Sequence, residues 1–247
     1  MVHRMVSKRG MSLGGKDNII LHTKTYIILL LLLVILTVSF PSLVLADDRL
    51  SEVLDGILKR YKNLPGLVVS YQREIITKSM AILDDDIKSD IASGNFMFKP
   101  PNYLKVVQEL PGKEIVTTDG QTIWWYIPDK KLVYRYPADT LGKELRLLSD
   151  IFNGLSDVGD GFDASLTVSG NKEEYQLVLV PTDPWEEIDH ISLYVRQDDF
   201  NILIVEIYNF LGTVTRFKLG DFSVRKSFEK DFFRFVVPDG IEVIEQD

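Results

Sequence analysis

From Leu50 to Tyr61 the apolar positions recur every three or four residues: Leu50, Val53, Leu54, Ile57, Leu58 and Tyr61. That spacing draws one greasy stripe along a helix. It predicts a helix over 48–62, capped at Asp47 or Asp48 and ended by Pro65-Gly66. At Leu67 the period drops to two, the spacing of a pleated strand. Strands are predicted over 67–79, 91–99, 103–110, 114–118, 122–128 and 131–137, with a polar loop at 82–90. Pro100-Pro101, Pro111-Gly112, Asp119-Gly120 and Asp129-Lys130 supply the turns. Helical spacing returns over 139–156, where Leu141, Leu145, Leu148, Phe152 and Leu155 share a face. Strand periodicity resumes over 163–170, 174–181, 188–197, 202–210, 213–224 and 232–238. The expected class is mainly β (α+β), with about eleven strands. Short strands joined by tight turns make an antiparallel sheet that curls rather than stays flat. The two apolar-striped helices must bury their stripes, inside the curl or over its mouth.

One strand breaks the ordinary alternation. In "TIWWYIP", Ile123, Trp125 and Ile127 lie on one face, and Trp124 and Tyr126 lie on the other. Both faces are apolar, so both need cover. In a rolled sheet one of them lines the inside. The pattern leaves open whether Trp125, or Trp124 with Tyr126, forms the inner wall.

The chain starts with a different kind of segment. Residues 1–25 carry Arg4, Lys8, Arg9, Lys16 and Lys24 against Asp17, and an uncharged apolar run follows, broken by Pro41. A basic start, an apolar core and small residues before a boundary describe a secretory signal peptide. The expected domains are a 1–46 leader, cut after Ala46, and one domain over 47–247. The rival is an uncleaved anchor, since 27–44 approaches the roughly 20 residues that span a bilayer. Met5 or Met11 is an alternative start. There is no cysteine, which excludes disulfides, thiol catalysis, zinc–thiolate sites and a lipid-acceptor residue. Setting aside the leader's five basic residues and one acid leaves a net charge of −12, which disfavours nucleic acid. A soluble, exported monomer is expected.

Catalytic signatures are missing. Beyond the leader the one histidine is His190, on a predicted strand and with no nucleophile motif beside it. Asp84–Asp86 lack the glycine and distal glutamate of a calcium loop, whereas Asp157, Asp160 and Asp163 fall in a glycine-containing loop, where calcium is the minor alternative to a solvated turn. No enzyme activity, metal or cofactor is expected. Twelve aromatic residues spread over double-faced strands point instead to the binding of something apolar.

"GNFMFKPPNYLKV" (94–106) and "IVTTDGQTIWWYIPD" (115–129) resemble the outer-membrane lipoprotein carrier family LolA, and "FFRFVVPDGIEVIEQ" resembles its ending. The resemblance implies a half-open β-barrel with an α-helical lid over an apolar cavity, and a periplasmic chaperone that shields the acyl chains of lipoproteins between the inner and outer membranes. It implies acylated lipoproteins as cargo, the inner-membrane release complex LolCDE as donor and the outer-membrane LolB as acceptor. The lipid-binding residues would be Phe96, Phe98, Leu104, Val106, Trp124, Trp125, Tyr126 and Tyr134. The lid residues would be Leu54, Ile57, Leu58, Leu145, Leu148 and Phe152. Two alternatives remain: a periplasmic carrier of a non-protein lipid, and a regulatory protein that senses lipid or lipoprotein. The chain departs from the family at Pro100, where the family has a lid-bonding arginine, and at Leu104, where it has an aromatic. Lys99 keeps a charge one residue earlier, on the other side of the strand.

Overall fold

The computed structural model describes residues 44–77, 90–137, 142–155, 158–167, 169–183, 185 and 188–246. Positions 1–43 of the expected leader and nearly all of the polar loop 82–90 lie outside them. Residues 48–247 form one compact unit; of 1–47, only 44–47 are described, as the start of a helix.

That helix, α1, is Val44–Tyr61. It begins earlier than predicted, so Asp47 and Asp48 lie inside its first turns rather than at its cap. Leu45 and Ala46 are strong helix formers, and acids in a first turn suit the helix dipole. Six strands follow: β1 Leu67–Ile76, β2 Asp90–Lys99, β3 Tyr103–Leu110, β4 Glu114–Thr118, β5 Thr122–Ile127 and β6 Leu132–Pro137. A 3-10 turn, Pro128–Lys130, joins the last two. Helix α2 is Gly142–Phe152, and a single turn, α3, is Val158–Gly161. Then come β7 Phe162–Thr167, β8 Glu174–Pro181, β9 His190–Arg196, β10 Ile202–Tyr208, β11 Val214–Val224 and β12 Glu242–Glu245.

All twelve strands form one open sheet, in the order β12-β6-β5-β4-β3-β2-β1-β11-β10-β9-β8-β7. Every pairing is antiparallel except β12 with β6, which is parallel. Segment 232–238, expected as a strand, is not one. It runs as turns and extended chain, with Phe232 N–H donating to Glu229 O at 3.1 Å. Its alternating phenylalanines lie on the sheet face instead of pairing at an edge. The last strand comes after it, at Glu242–Glu245.

Cross-strand partners share a face, so the register sorts the residues. One row reads Leu67, Phe98, Leu104, Thr118, Ile123 and Tyr136. The next reads Val69, Phe96, Val106, Val116, Trp125 and Tyr134. These rows lie on the face that covers the helices, called inner below. A single core cluster unites Leu104 of β3 and Leu177 of β8, six places apart in the sheet, with Ile57 of α1 and Ile151 of α2. The sheet therefore curls around both helices. The helices also meet each other. Gly154 (φ +78°) follows α2, and a Cβ there would stand 3.1 Å from Leu58 Cα.

Candidate functional site

The inner trough is built from apolar rings, and helix side chains occupy it. Phe152 lies 5.9 Å from the Phe96 ring and 5.7 Å from the Phe98 ring. Tyr71 stacks on Phe96 at 4.3 Å, and Phe217 stands 5.9 Å from it. Val53, Ile57, Leu147 and Ile151 have no exposed surface at all. The helices thus fill the trough with aliphatic and aromatic surface. Two polar ties among the described residues are specific. Asn153 Nδ2 donates to Pro101 O at 3.1 Å, fastening the end of α2 to the β2–β3 turn. Arg60 Nε donates to Asn201 Oδ1 at 2.8 Å, fastening the end of α1 to the start of β10.

The turn that holds Pro100 therefore receives the helix through a main-chain carbonyl, which needs no side-chain donor on the sheet. Lys99 takes no part in that bond. Its ammonium lies 5.3 Å from the centre of the Tyr103 ring, on the opposite face.

Where α1 leaves the trough a cavity of about 330 Å³ remains. Its floor is Tyr61, Val69, Phe152, Leu219 and Phe222, and Arg60 stands at its mouth. The Arg60 guanidinium lies 4.5 Å from the centre of the Phe222 ring. The Tyr61 hydroxyl accepts from the Ile202 amide at 3.0 Å, and burial pushes the phenol's pKa up. Arg196, also on the rim, is paired with Asp198 and Asp199. That pairing holds the Asp199 carboxyl below its usual range. This volume sits at the small end of lipid-sized pockets.

Further along the inner face lies an aromatic ladder. Trp125 lies 5.3 Å from Tyr134, and Tyr134 lies 6.3 Å from Tyr136, all half-buried. Trp125 Nε1 donates to Glu114 Oε2 at 2.9 Å, so the indole's polar edge is satisfied and its faces remain apolar.

The structure answers the parity question at β5. Trp125 lies inward with Ile123 and Ile127. Trp124 and Tyr126 lie on the outer face, in rows with Thr117, Arg135, Ile115 and Val133. Phe235 of the C-terminal segment covers them, at 5.4 Å from Trp124 and 5.7 Å from Tyr126. Both residues therefore leave the expected inner wall. Phe96, Phe98, Leu104, Val106, Trp125 and Tyr134 fall together in the two adjacent inner rows. Among the expected lid residues, Ile57, Leu148 and Phe152 are buried, and Leu54 packs half-buried on the core. Leu58 is half-buried, and the side chain of Leu145 lies outside the described residues. Val53, Tyr61 and Leu155, also on the predicted stripes, are buried with them, and so are Leu147 and Ile151, which the predicted stripe left out. The spacing Leu147, Ile151, Leu155 was the available signal, a second line beside Leu148 and Phe152 that widens the stripe.

His190 stacks on Tyr208 at 4.2 Å, with Nδ1 2.7 Å from Asp189. Next to it the buried Glu206 accepts from Tyr194, Tyr208 and Arg216, at 3.1, 2.6 and 2.6 Å. Burial and that carboxylate push the Tyr208 phenol up. These groups satisfy one another on the outer face and leave no free nucleophile or base. Among the described residues no three acidic, histidine or cysteine side chains converge as metal ligands.

A curled, half-open antiparallel barrel with an apolar trough plugged by two helices defines a class of apolar-ligand binding fold. Within that class the sequence profile described as outer membrane lipoprotein carrier protein LolA matches residues 83–236, well over half of the chain. The chain belongs to this family. It is 28% identical over 158 residues to an outer-membrane lipoprotein carrier protein of Halorhodospira halophila, covering 63% of this chain and 71% of the relative. It is 21% identical over 219 residues to one of Hahella chejuensis, covering 88% and 98%. Its fold is similar to the crystal structure of an uncharacterized conserved protein of Thermus thermophilus, with TM-score 0.50, 14% identity, and 79% and 98% covered. Among the described residues no helix is long and apolar enough to cross a membrane.

Proposed function

We propose that this chain is a carrier of acylated lipoproteins, exported by its 1–46 leader and working in the periplasm. The observation that carries the proposal is the filling of the trough: the apolar inner rows of the sheet around Phe96 and Phe98 are occupied by apolar helix side chains. Exposing an acyl chain to water costs about 0.8 kcal/mol per methylene. Full burial of several chains in a ready-made cavity would approach the ceiling of non-covalent affinity, roughly 20 kcal/mol, and the cargo would never leave. A trough already filled by Ile57, Ile151 and Phe152 avoids this. Lipid displaces the helices, so net affinity is the difference between two apolar fillings. Phe96, Phe98, Leu104, Val106, Trp125 and Tyr134 would form the wall against which the chains lie. The cavity beside Tyr61 and Phe152 would be where entry begins, since it is space beside the packed helices that they leave unfilled.

Family membership supports donor and acceptor partners of the LolCDE and LolB kinds, and no catalytic role. The test is direct: purify the chain from the soluble exported fraction and identify what organic solvent and detergent release. Near-stoichiometric acylated protein is the expected result. Free lipid without protein would replace lipoprotein with a non-protein lipid as cargo. An empty chain that also refuses an acylated peptide would overturn the carrier reading.

A further inference from the structure

Five of the eight large hydrophobic side chains exposed among the described residues are found at one end of the sheet: Ile91, Leu110, Val180, Phe210 and Leu211. The register places them there. Val214, which opens β11, pairs with Ile76 at the end of β1, and Ile91 lies opposite Glu74 at the start of β2. Leu110 ends β3 opposite Ser93, and Val180 follows Leu179, whose row continues through Ile191 to Ile207 near the end of β10. The apex of this end is the β10–β11 turn, where Phe210 is 63% and Leu211 84% exposed.

We infer that the turn Asn209–Thr213 is a docking tip that inserts Phe210 and Leu211 into the headgroup layer of a zwitterionic lipid bilayer. The turn's hydrogen bonding is the first argument. The Asn209 carboxamide oxygen accepts from the amides of Leu211 and Thr213, at 3.0 and 2.8 Å. The Asn209 amide donates to Thr213 O, and the Gly212 amide donates to Asn209 O, both at 3.0 Å. Gly212, at φ +80°, allows this tight closure. Hairpin turns in water pair in the same way, but the pairing means that these four amides stay satisfied when the turn enters a less hydrated layer.

Charge is the second argument. Residues 208–214 carry none, and the nearest charged groups on these strands, Glu206 and Arg216, are bonded to each other. Without the leader the chain is at −12, so an anionic surface would repel it and an uncharged one would not. Size is the third. A stable protein partner needs about 1,000 Å² of complementary surface, far more than two side chains at a turn provide. Insertion between headgroups needs no matching surface, and two side chains give weak, reversible attachment.

The experiment uses the full exported chain and flotation with phosphatidylcholine vesicles, with and without phosphatidylglycerol. Wild type is expected to float with the zwitterionic vesicles, and less with the anionic ones. The double variant Phe210→Ser/Leu211→Ser should lose tenfold to a hundredfold in partition, with its melting temperature and its uptake of an acylated peptide unchanged. In a Phe210→Trp variant, vesicles should shift the added emission to the blue and lipid-borne quenchers should reach it. Undiminished flotation of the double variant would overturn the inference. So would no flotation of wild type, or binding seen only when the vesicles carry membrane proteins. Peptide uptake is read separately, so failure of the cargo reading and failure of the docking tip give different results.

Discussion

Strand β5 has a tryptophan on each face, and the two faces are covered in different ways. Inside, Trp125 is half-buried beside Tyr134, in a row that runs on to Phe96 and Val69. At that end of the row the cover is side-chain packing by α1 and α2, with Asn153 tied to Pro101. Outside, Trp124 stacks under Phe235, and the chain that carries Phe235 ends in a strand. Glu242 N–H donates to Lys131 O at 3.2 Å, Gln246 N–H donates to Arg135 O at 3.0 Å, and Arg135 pairs with Glu245 at 3.1 Å. Phe233 against Tyr103, and Lys105 bonded to Phe232 O, add to this seal. A lipid can replace apolar packing, but it cannot replace a backbone ladder. The inner cover is therefore the one that can exchange with cargo, and the outer cover is structural.

The largest test of that contrast is Ile151→Ala. Ile151 is fully buried in the helix filling, so the cargo-free protein should lose about 2–5 kcal/mol in chemical denaturation. The same change should strengthen uptake of an acylated peptide, because the competing filling is weaker. A loss of both would break the contrast. Next come Trp125→Glu and Trp124→Glu made separately. The first should abolish peptide uptake with a modest change in melting temperature; the second should lower the melting temperature and leave uptake intact. Equal effects on uptake would place both faces in one site. Phe235→Ala removes the outer lid's ring from Trp124 and Tyr126 and should cost roughly 1–3 kcal/mol with uptake unchanged.

Asn153→Ala is a smaller perturbation. It should cost about 0.5–1.5 kcal/mol and speed amide exchange in α2, while β12 exchanges as before. The smallest effect is with pH. Burial raises the pKa of Tyr61 and Tyr71, and burial with Glu206 raises those of Tyr194 and Tyr208. A raised phenol favours the fold while protonated, and that contribution is lost as pH climbs above the ordinary value of 10.0. Burial lowers the pKa of Lys105, so its contribution rises with pH up to 10.5 and opposes the four phenols. The unfolding midpoint should hold up to about pH 10 and fall beyond it.

Much of this was legible in the sequence. Period two located eleven of the twelve strands to within a few residues, because half-buried strands must alternate. The site was legible as a set of residues, but not as faces. The doublet Trp124-Trp125 carries no information on which ring points inward, because both sides of β5 are buried by different partners. Segment 232–238 was misread for a related reason. Phe233 and Phe235 alternate as a strand would, but the alternation serves burial on a sheet face, and only pairing geometry distinguishes the two. The α2 stripe was read too narrowly because Leu147 and Ile151 lie beside, not on, the line from Leu148 to Phe152. The Asn153 tie to a carbonyl has no sequence signature at all.

The central claim is that cargo enters by displacing the helices from the inner rows. The chain has no cysteine, so a pair placed at Asn153 and Pro101 can be joined by a short bis-maleimide, tethering α2 to the β2–β3 turn. Uptake of a fluorescent acylated peptide would then be measured in the joined protein and in each single-cysteine variant capped by the same reagent. Displacement predicts that the joined protein takes up little or none while both capped variants bind normally. Equal uptake in the joined protein would mean that cargo binds without moving α2, and the helix filling would not be the lock described here.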